Sequence, residues 1–220
     1  MIAVLTGDII SSRTLPNRSR WLRRLEEIIE KKSGLAKPPK WGVFRGDSFQ
    51  VELSRPQDAL RLAILIRAGL RSTPGFSPIR LDARIAIGIG DKGYSGKSVH
   101  YSDGEAYVLS GTALDVLKRE NSRLTIQTPG FTIGKSLEIS LQLASTIIDD
   151  WSFAEAQAVW LKLSENKTQE EIAKKLKISQ PAVHKRYTGS HYNEISKLLT
   201  YFESAVSSEP EGLMTLQQKK

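Results

Sequence analysis

The chain contains no cysteine, and only three histidines and two methionines among its 220 residues. Disulfide bonds, thiolate metal sites and cysteine nucleophiles are therefore excluded. No apolar run approaches the ~18 residues that a membrane helix requires. The short apolar stretch at the N-terminus has no basic residue before it, unlike a signal peptide. These absences predict a cytoplasmic protein that is neither exported nor inserted in a membrane.

Acidic residues are fewer than basic ones. There are 32 Lys or Arg against 24 Asp or Glu, a net charge of +8. Such an excess favours anionic partners such as nucleic acid or nucleotides, although a merely basic protein has the same composition. A hydrophobic content of 40% and a charged content of 25% are ordinary for a globular protein. Composition therefore predicts a sizeable core without selecting the partner.

Hydrophobic periodicity predicts strands alternating with helices over the first two thirds of the chain. The predicted strands are 1–6, 41–44, 49–53, 79–89 and 124–127, and the predicted helices are 17–32, 56–70, 105–119 and 135–148. This order predicts an α+β fold with a mainly antiparallel sheet, ferredoxin-like or cyclase-like, and with the helices on one face.

The pattern changes after Asp149 and Asp150, where short helices follow without any strand signal. We therefore predict an α+β domain over 1–149 and a small all-α domain over 150–206. A polar tail is expected over 207–220.

A recognisable motif occupies Thr168 to Ser190. Thr168 and Glu171 form a capping box that begins one helix, and Ser179 caps the next. The motif resembles the helix-turn-helix of bacterial transcription regulators, except that Lys177 stands where that family usually has glycine. A plain helical bundle used for dimerisation is the alternative.

This resemblance implies that the second helix enters the major groove of double-stranded DNA. Gln180 is suited to adenine, and Arg186 to guanine or phosphate. The predicted DNA-binding residues are Thr168, Ser179, Gln180, Ala182, His184, Lys185 and Arg186.

Two aspartates mark a second candidate site. Asp8 follows the first predicted strand, and Asp47 sits in the turn of the predicted hairpin. In this element order the two positions meet at one edge of the sheet. Mg²⁺ is often held by one or two carboxylates together with substrate phosphates. The pair therefore predicts a metal or nucleotide site, although each residue alone is also an ordinary turn or cap residue.

The segments TGDIISSR and FRGDSFQVEL, which carry these aspartates, resemble the metal-binding segments of class III nucleotide cyclases and polymerase palm domains. The combined pattern also resembles the SatD family. The resemblance covers roughly residues 1–130 and implies Mg²⁺ or Mn²⁺ as cofactor. Cyclases usually place an asparagine and an arginine on the helix matching 105–119, where this chain has Leu109, Ser110, Thr112 and Ala113. Lys118 or Arg119 can replace that arginine only if the helix is longer or shifted.

A glycine-rich loop over 91–104 carries Lys92 and Lys97. Exposed backbone N–H groups and these lysines suit phosphate binding, so both are predicted nucleotide-binding residues. The loop matches no P-loop pattern, and a surface loop without a ligand is the alternative.

Three functions remain open at this point. The first is a DNA-binding transcription regulator, expected as a homodimer, whose degenerate cyclase-like domain binds metal or nucleotide or mediates dimerisation. The second is an active metal-dependent nucleotidyl cyclase or nucleotidyltransferase tethered to DNA, and the third is assembly alone. Residues 150–206 hold eight Lys or Arg and seven Asp or Glu. DNA affinity is therefore expected to need a dimer or the basic residues of 1–149.

Overall fold

The structure is a computed structural model that describes residues 1–12, 14–15, 18–31, 33–35, 38–44, 46–76 and 80–209. Its strands are β1 (Ile2–Ile9), β2 (Lys40–Phe44), β3 (Ser48–Leu53), β4 (Ala83–Gly90) and β5 (Leu124–Gln127). Its helices are α1 (Arg18–Glu26), α2 (Ala59–Arg71), α3 (Glu105–Glu120), α4 (Gly134–Asp150), α5 (Phe153–Glu165), α6 (Gln169–Leu176), α7 (Gln180–Gly189) and α8 (Tyr192–Ser208). A π-helical turn (Glu27–Lys31) continues α1.

Within these ranges the strands form one five-stranded sheet in the order β2-β3-β1-β4-β5. The central strand β1 pairs antiparallel with β3 and β4, β2 pairs antiparallel with β3, and β5 joins β4 in parallel. The first four strands and their two connecting helices follow the β-α-β-β-α-β order of ferredoxin-like folds. The predicted α+β class and mainly antiparallel sheet are confirmed.

The prediction that all helices lie on one face of the sheet is wrong. Ala86 of β4 packs against Leu114 and Leu117 of α3, whereas the isoleucines at alternate positions of β4 join α1, α2 and α4 on the other face. A Cβ built on Gly88 would lie 2.3 Å from the carbonyl oxygen of Ala106. The small residues of β4 thus admit α3 at close range, and both faces of the sheet are covered.

The C-terminal helices share the main core. Ala156, Val159, Trp160 and Leu163 of α5 belong to the same buried cluster as the inner face of the sheet. A Cβ on Gly69 of α2 would lie 2.8 Å from the Trp160 ring, so glycine there lets α5 approach α2. These α5 residues therefore belong to the core of the sheet rather than to a separate one. The predicted boundary lies at the end of α4, and the core continues across it.

A buried carboxylate joins several of these elements. Asp82, immediately before β4, accepts hydrogen bonds from Arg67 at 2.8 and 3.0 Å and from Arg71 at 2.8 Å. Arg71 also donates to the carbonyl oxygens of Asp149 and Trp151 at the α4–α5 junction. Burial alone would raise the pKa of Asp82, but the two guanidinium groups hold it below its usual 3.8. The sheet, α2 and the junction are thus linked by one ionic network.

Several predicted boundaries shift. β1 extends three residues beyond 1–6 and includes Asp8, because its backbone stays paired on both sides. The fourth strand begins at Ala83, where pairing with β1 begins, and helix α8 continues to Ser208. The two ends of the predicted helix 17–32, the predicted strand start at 79, residue 45 between the hairpin strands and tail residues 210–220 lie outside the described residues. No helix in the described part of the chain combines the length and apolar content that a membrane crossing needs.

The close approach of α3 to β4 yields a paired test. Gly88→Ala is expected to lower the free energy of unfolding by about 1–3 kcal/mol, because the new methyl group overlaps the α3 backbone. Gly111→Ala on α3 meets no atom within 4 Å and is expected to raise it by about 0.5–1 kcal/mol. Urea unfolding followed by tryptophan fluorescence measures both. Equal effects of the two substitutions would contradict the packing of α3 on this face.

The ionic network makes a second prediction. Asp82→Ala leaves Arg67 and Arg71 buried without their shared carboxylate and is expected to cost about 3–5 kcal/mol of unfolding free energy. Asp91→Ala is the control because its side chain is 71% exposed, and it is expected to change stability by less than about 0.5 kcal/mol. Calorimetry compares the two. A loss below about 1 kcal/mol for Asp82→Ala would show that the network contributes little.

Candidate functional site

Asp8 and Asp47 lie at the same end of the sheet. The Ile9 amide donates to the Asp47 carbonyl oxygen at 3.1 Å, and Asp8 is in register with Ser48, the residue that follows Asp47. The order of elements places the two main chains side by side, as expected from the sequence. Asp8 was expected to follow the first strand. It lies within β1 instead, so its backbone is paired with both neighbouring strands.

The carboxylate of Asp8 is only partly satisfied. Its Oδ2 accepts from Arg84 Nη1 of β4 at 3.5 Å. Its Oδ1 is buried and has no hydrogen-bond partner among the described residues. Asp47 differs, because its Oδ2 accepts a short hydrogen bond from the Ser12 hydroxyl. A buried carboxylate oxygen without a partner is costly, and the Nε of the neighbouring Arg84 is buried without a partner as well.

The charges around Asp8 affect its protonation. Burial raises the pKa of Asp8 above its ordinary value of 3.8, and the charge of Asp47 adds to this effect. Lys118 and Arg84 lower the pKa in opposition. The charge of Asp47 therefore reaches Asp8, and a cation beside Asp8 would favour its charged form.

Three basic side chains surround this pair. Arg84 lies on β4, and Lys118 lies in the last turn of α3, which extends one residue past its predicted end. Arg18 begins α1, and a Cβ on Gly46 would lie 3.7 Å from its guanidinium. The charge of Lys118 acts on Asp8 and lowers its pKa.

The donor set suits a hard divalent cation that shares its ligands with phosphate. In the ranges that the structure describes, no group of three or more His, Cys, Asp or Glu side chains forms a cage of protein ligands. Two carboxylates with water and phosphate oxygens are instead a common arrangement for Mg²⁺. The unpartnered Oδ1 of Asp8 fits a ligand of this kind. Asp8 and Asp47 are the residues that would hold the cation.

Lys92 lies away from the aspartates. Its ammonium pairs with Glu52 at 2.8 Å, and Glu52 is in register with Val4 of β1. Val4 precedes Asp8 by four residues, about 13 Å along a strand. Tyr107 donates to the other oxygen of Glu52 at 2.7 Å. Lys97 is exposed in the same loop. The structure therefore does not bring Lys92 together with Asp8 and Asp47.

The C-terminal helices have the local geometry predicted for them. Thr168 Oγ1 accepts from the Glu171 amide at 3.2 Å, and the Glu171 carboxylate accepts from the Thr168 amide at 2.7 Å. Ser179 Oγ accepts from the Ala182 amide at 3.3 Å. Lys177 has the left-handed conformation, with φ of 55°. The capping predictions are confirmed, and Lys177 occupies a backbone conformation that is unfavourable for a residue with a side chain.

The predicted DNA-binding residues have different surroundings. Thr168, Ser179, His184 and Lys185 are exposed, while Ala182 is half-buried. Gln180 is exposed as well, but its amide donates to Gln169 at 3.0 Å. Arg186 donates to Gln157 of α5 at 3.2 Å and therefore lies along the α5–α7 flank rather than on the outer face of α7.

Sequence reasoning missed two features near these sites. The pairing of Ser12 with Asp47 has no sequence signal, because the two residues meet only through the hairpin. The burial of Arg67 and Arg71, in contrast, had a signal in the sequence. Both lie on a helix that is buried on almost every side, and an arginine in such a helix requires a carboxylate partner.

Comparisons with known proteins give little guidance. No family model matches the chain, and no curated protein does. Among solved structures, the chain is similar to the active GGEEF domain of a diguanylate cyclase from Vibrio cholerae, with a TM-score of 0.42 and 18% identity. The match covers 58% of this chain and 84% of that one. A likeness at this level supports no statement about activity. The resemblance to the SatD family stays an expectation, and function is inferred from the chain's own residues.

Proposed function

We propose that the protein binds double-stranded DNA through α6 and α7, with α7 in the major groove, and that it acts as a transcription regulator. The observation that carries this proposal is the outer face of α7. Lys185 and His184 are exposed there, while Val183 and Tyr187 anchor the opposite side in the core. Such a helix presents cations and polar groups outward from a fixed position.

The capped turn between α6 and α7 supports the same proposal. Ile178 follows the left-handed Lys177 and packs against the core, so the two helices meet at a defined corner. The exposed Gln180 amide, shared with Gln169, is suited to a base edge.

Binding of a fluorescent mixed-sequence duplex, measured by polarisation, tests the proposal. Lys185→Gln is expected to weaken binding roughly five- to tenfold near 0.1 M salt, because one lost phosphate contact lowers the salt slope by about 0.9. Lys197→Gln removes an equal charge from the exposed side of α8 and is expected to have little effect. Absence of binding by the wild-type chain at low salt would show that the proposal is wrong.

A second candidate function is metal-dependent binding of a nucleoside triphosphate at Asp8 and Asp47. The unpartnered Oδ1 of Asp8 and the charge of Lys118 acting on it favour this function. Asp8 and Asp47 would hold Mg²⁺ or Mn²⁺, which would neutralise phosphate charge when bound. Arg84 and Lys118 would face the phosphates. Nucleotidyl transfer or cyclisation is the reaction class that such a site supports.

The second candidate predicts that the chain binds a fluorescent nucleoside triphosphate in the presence of Mn²⁺. Asp8→Asn keeps the shape of the side chain but removes its charge, and is expected to weaken binding at least tenfold, because changing even an outer-shell partner of a metal ligand typically costs about 10–100-fold. Asp115→Asn, on the exposed side of α3, is the control. Equal binding by Asp8→Asn and wild type would exclude the aspartate site. Incubation with each of the four triphosphates then shows whether any product forms.

A further inference from the structure

Helix α1 carries an unusual density of positive charge, with four arginines among its nine residues. Arg20, Arg23 and Arg24 line an open recess of about 360 Å³ against the loop at Ser72–Pro74. We call Arg20, Arg23 and Arg24 the α1 arginine surface. Arg20 and Arg23 are exposed, so their guanidinium groups are available to a ligand.

The positive charge of this surface is largely uncompensated. Glu27 also lines the recess, and it is paired with Arg24 at 2.9 Å. Throughout the part of the chain that the structure describes, no carboxylate forms an ion pair with Arg20 or Arg23. Arg20 instead lies over the Phe76 ring at 5.5 Å, which positions its guanidinium without neutralising it. An anionic partner is therefore the ligand that this surface fits.

Contacts through α5 connect the α1 arginine surface to α7. The Arg24 guanidinium lies 4.3 Å from the centre of the Trp160 ring of α5. Three residues earlier on α5, Gln157 accepts the hydrogen bond from Arg186 of α7. Residues three apart lie on the same side of a helix. Arg24 of the α1 arginine surface and Arg186 of α7 therefore contact α5 on the same side of that helix.

We infer that the α1 arginine surface binds backbone phosphates of the same DNA duplex that α7 contacts. This inference rests on the proposed function and adds a second contact region outside the helices of residues 150–206. The major groove is about 12 Å wide and phosphates line both of its edges, so a helix in the groove has backbone phosphates on either side. Arginine suits phosphate because its planar group donates two parallel hydrogen bonds.

The charged residues of the chain are distributed unevenly, and this makes a phosphate contact on α1 useful for DNA affinity. Residues 150–206 contain eight Lys or Arg against seven Asp or Glu, whereas residues 1–149 contain 22 against 15. Phosphate neutralisation supplies most of the sequence-independent affinity for DNA. The nearly neutral C-terminal helices thus gain affinity from the α1 arginine surface, while α7 supplies base contacts.

The test measures DNA affinity of the full chain between about 50 and 200 mM KCl on a mixed-sequence duplex. Arg20→Gln/Arg23→Gln is expected to lower the slope of log K against log salt by about 1.8, since each phosphate contact contributes about 0.9. Arg20→Lys/Arg23→Lys keeps both charges and is expected to keep the slope. Arg119→Gln/Lys135→Gln removes two exposed charges, one from α3 and one from the first turn of α4, and is expected to leave it unchanged.

The outcomes separate the two proposals. If Lys185→Gln weakens binding while Arg20→Gln/Arg23→Gln leaves the slope unchanged, the inference about α1 is overturned and the role of α7 stands. If Arg119→Gln/Lys135→Gln lowers the slope equally, the effect is one of net charge and the inference is also overturned. If the wild-type chain does not bind the duplex, the proposed function fails and this inference fails with it. Unchanged melting temperatures show that each variant is folded.

Discussion

The ion pairs of the buried Asp82 carboxylate with two arginines of α2 hold the sheet, α2 and the α4–α5 junction together. The carboxylate accepts hydrogen bonds from Arg67 and Arg71 of α2 at the entrance to β4, and the same arginines reach the end of α4 and the start of α5. Ionic groups in a dry interior are tolerated only when each charge is paired. The network therefore holds the start of α5 against α2 and the sheet, and α7 packs on α5 through Arg186 and Gln157.

The two faces of the sheet carry different chemistry. The α3 face ends in Asp8, whose neighbours Arg84 and Lys118 make a small site of mixed charge. The opposite face is covered by α1, α2 and α4 and continues into the C-terminal helices without a break in the core. A nucleotide at Asp8 and a DNA duplex on α7 and the α1 arginine surface would therefore occupy separate regions. Both regions meet α1, since Arg18 lies beside the Asp47 turn and Arg24 lies beside Trp160.

Local signals allowed a large part of this structure to be predicted from sequence. The reciprocal cap of Thr168 and Glu171 and the cap at Ser179 involve residues three apart, so the sequence contains both partners of each interaction. The meeting of Asp8 with Asp47 also follows from element order, because a hairpin beside β1 returns its turn to the end of that strand.

Long-range packing could not be predicted in the same way. The position of α3 depends on Gly88 meeting the backbone of Ala106, a contact that periodicity does not specify. The pairing of Arg67 with Asp82 joins a helix to the segment before a strand, and sequence indicates only that such arginines need a partner. The direction of Arg186 toward Gln157 depends on how α5 and α7 cross. Side-chain direction at the candidate sites is therefore a result of tertiary structure.

The inferred arrangement places α7 and α1 against one DNA duplex. Photo-crosslinking of the full chain to a duplex tests it most directly, with the crosslinking group placed at Thr188 on α7, Glu26 on α1 or Thr112 on α3, all three of them exposed. Crosslinks are expected from Thr188 and Glu26 and none from Thr112. Crosslinks from Thr112 alone, or from none of the three positions, would contradict this arrangement.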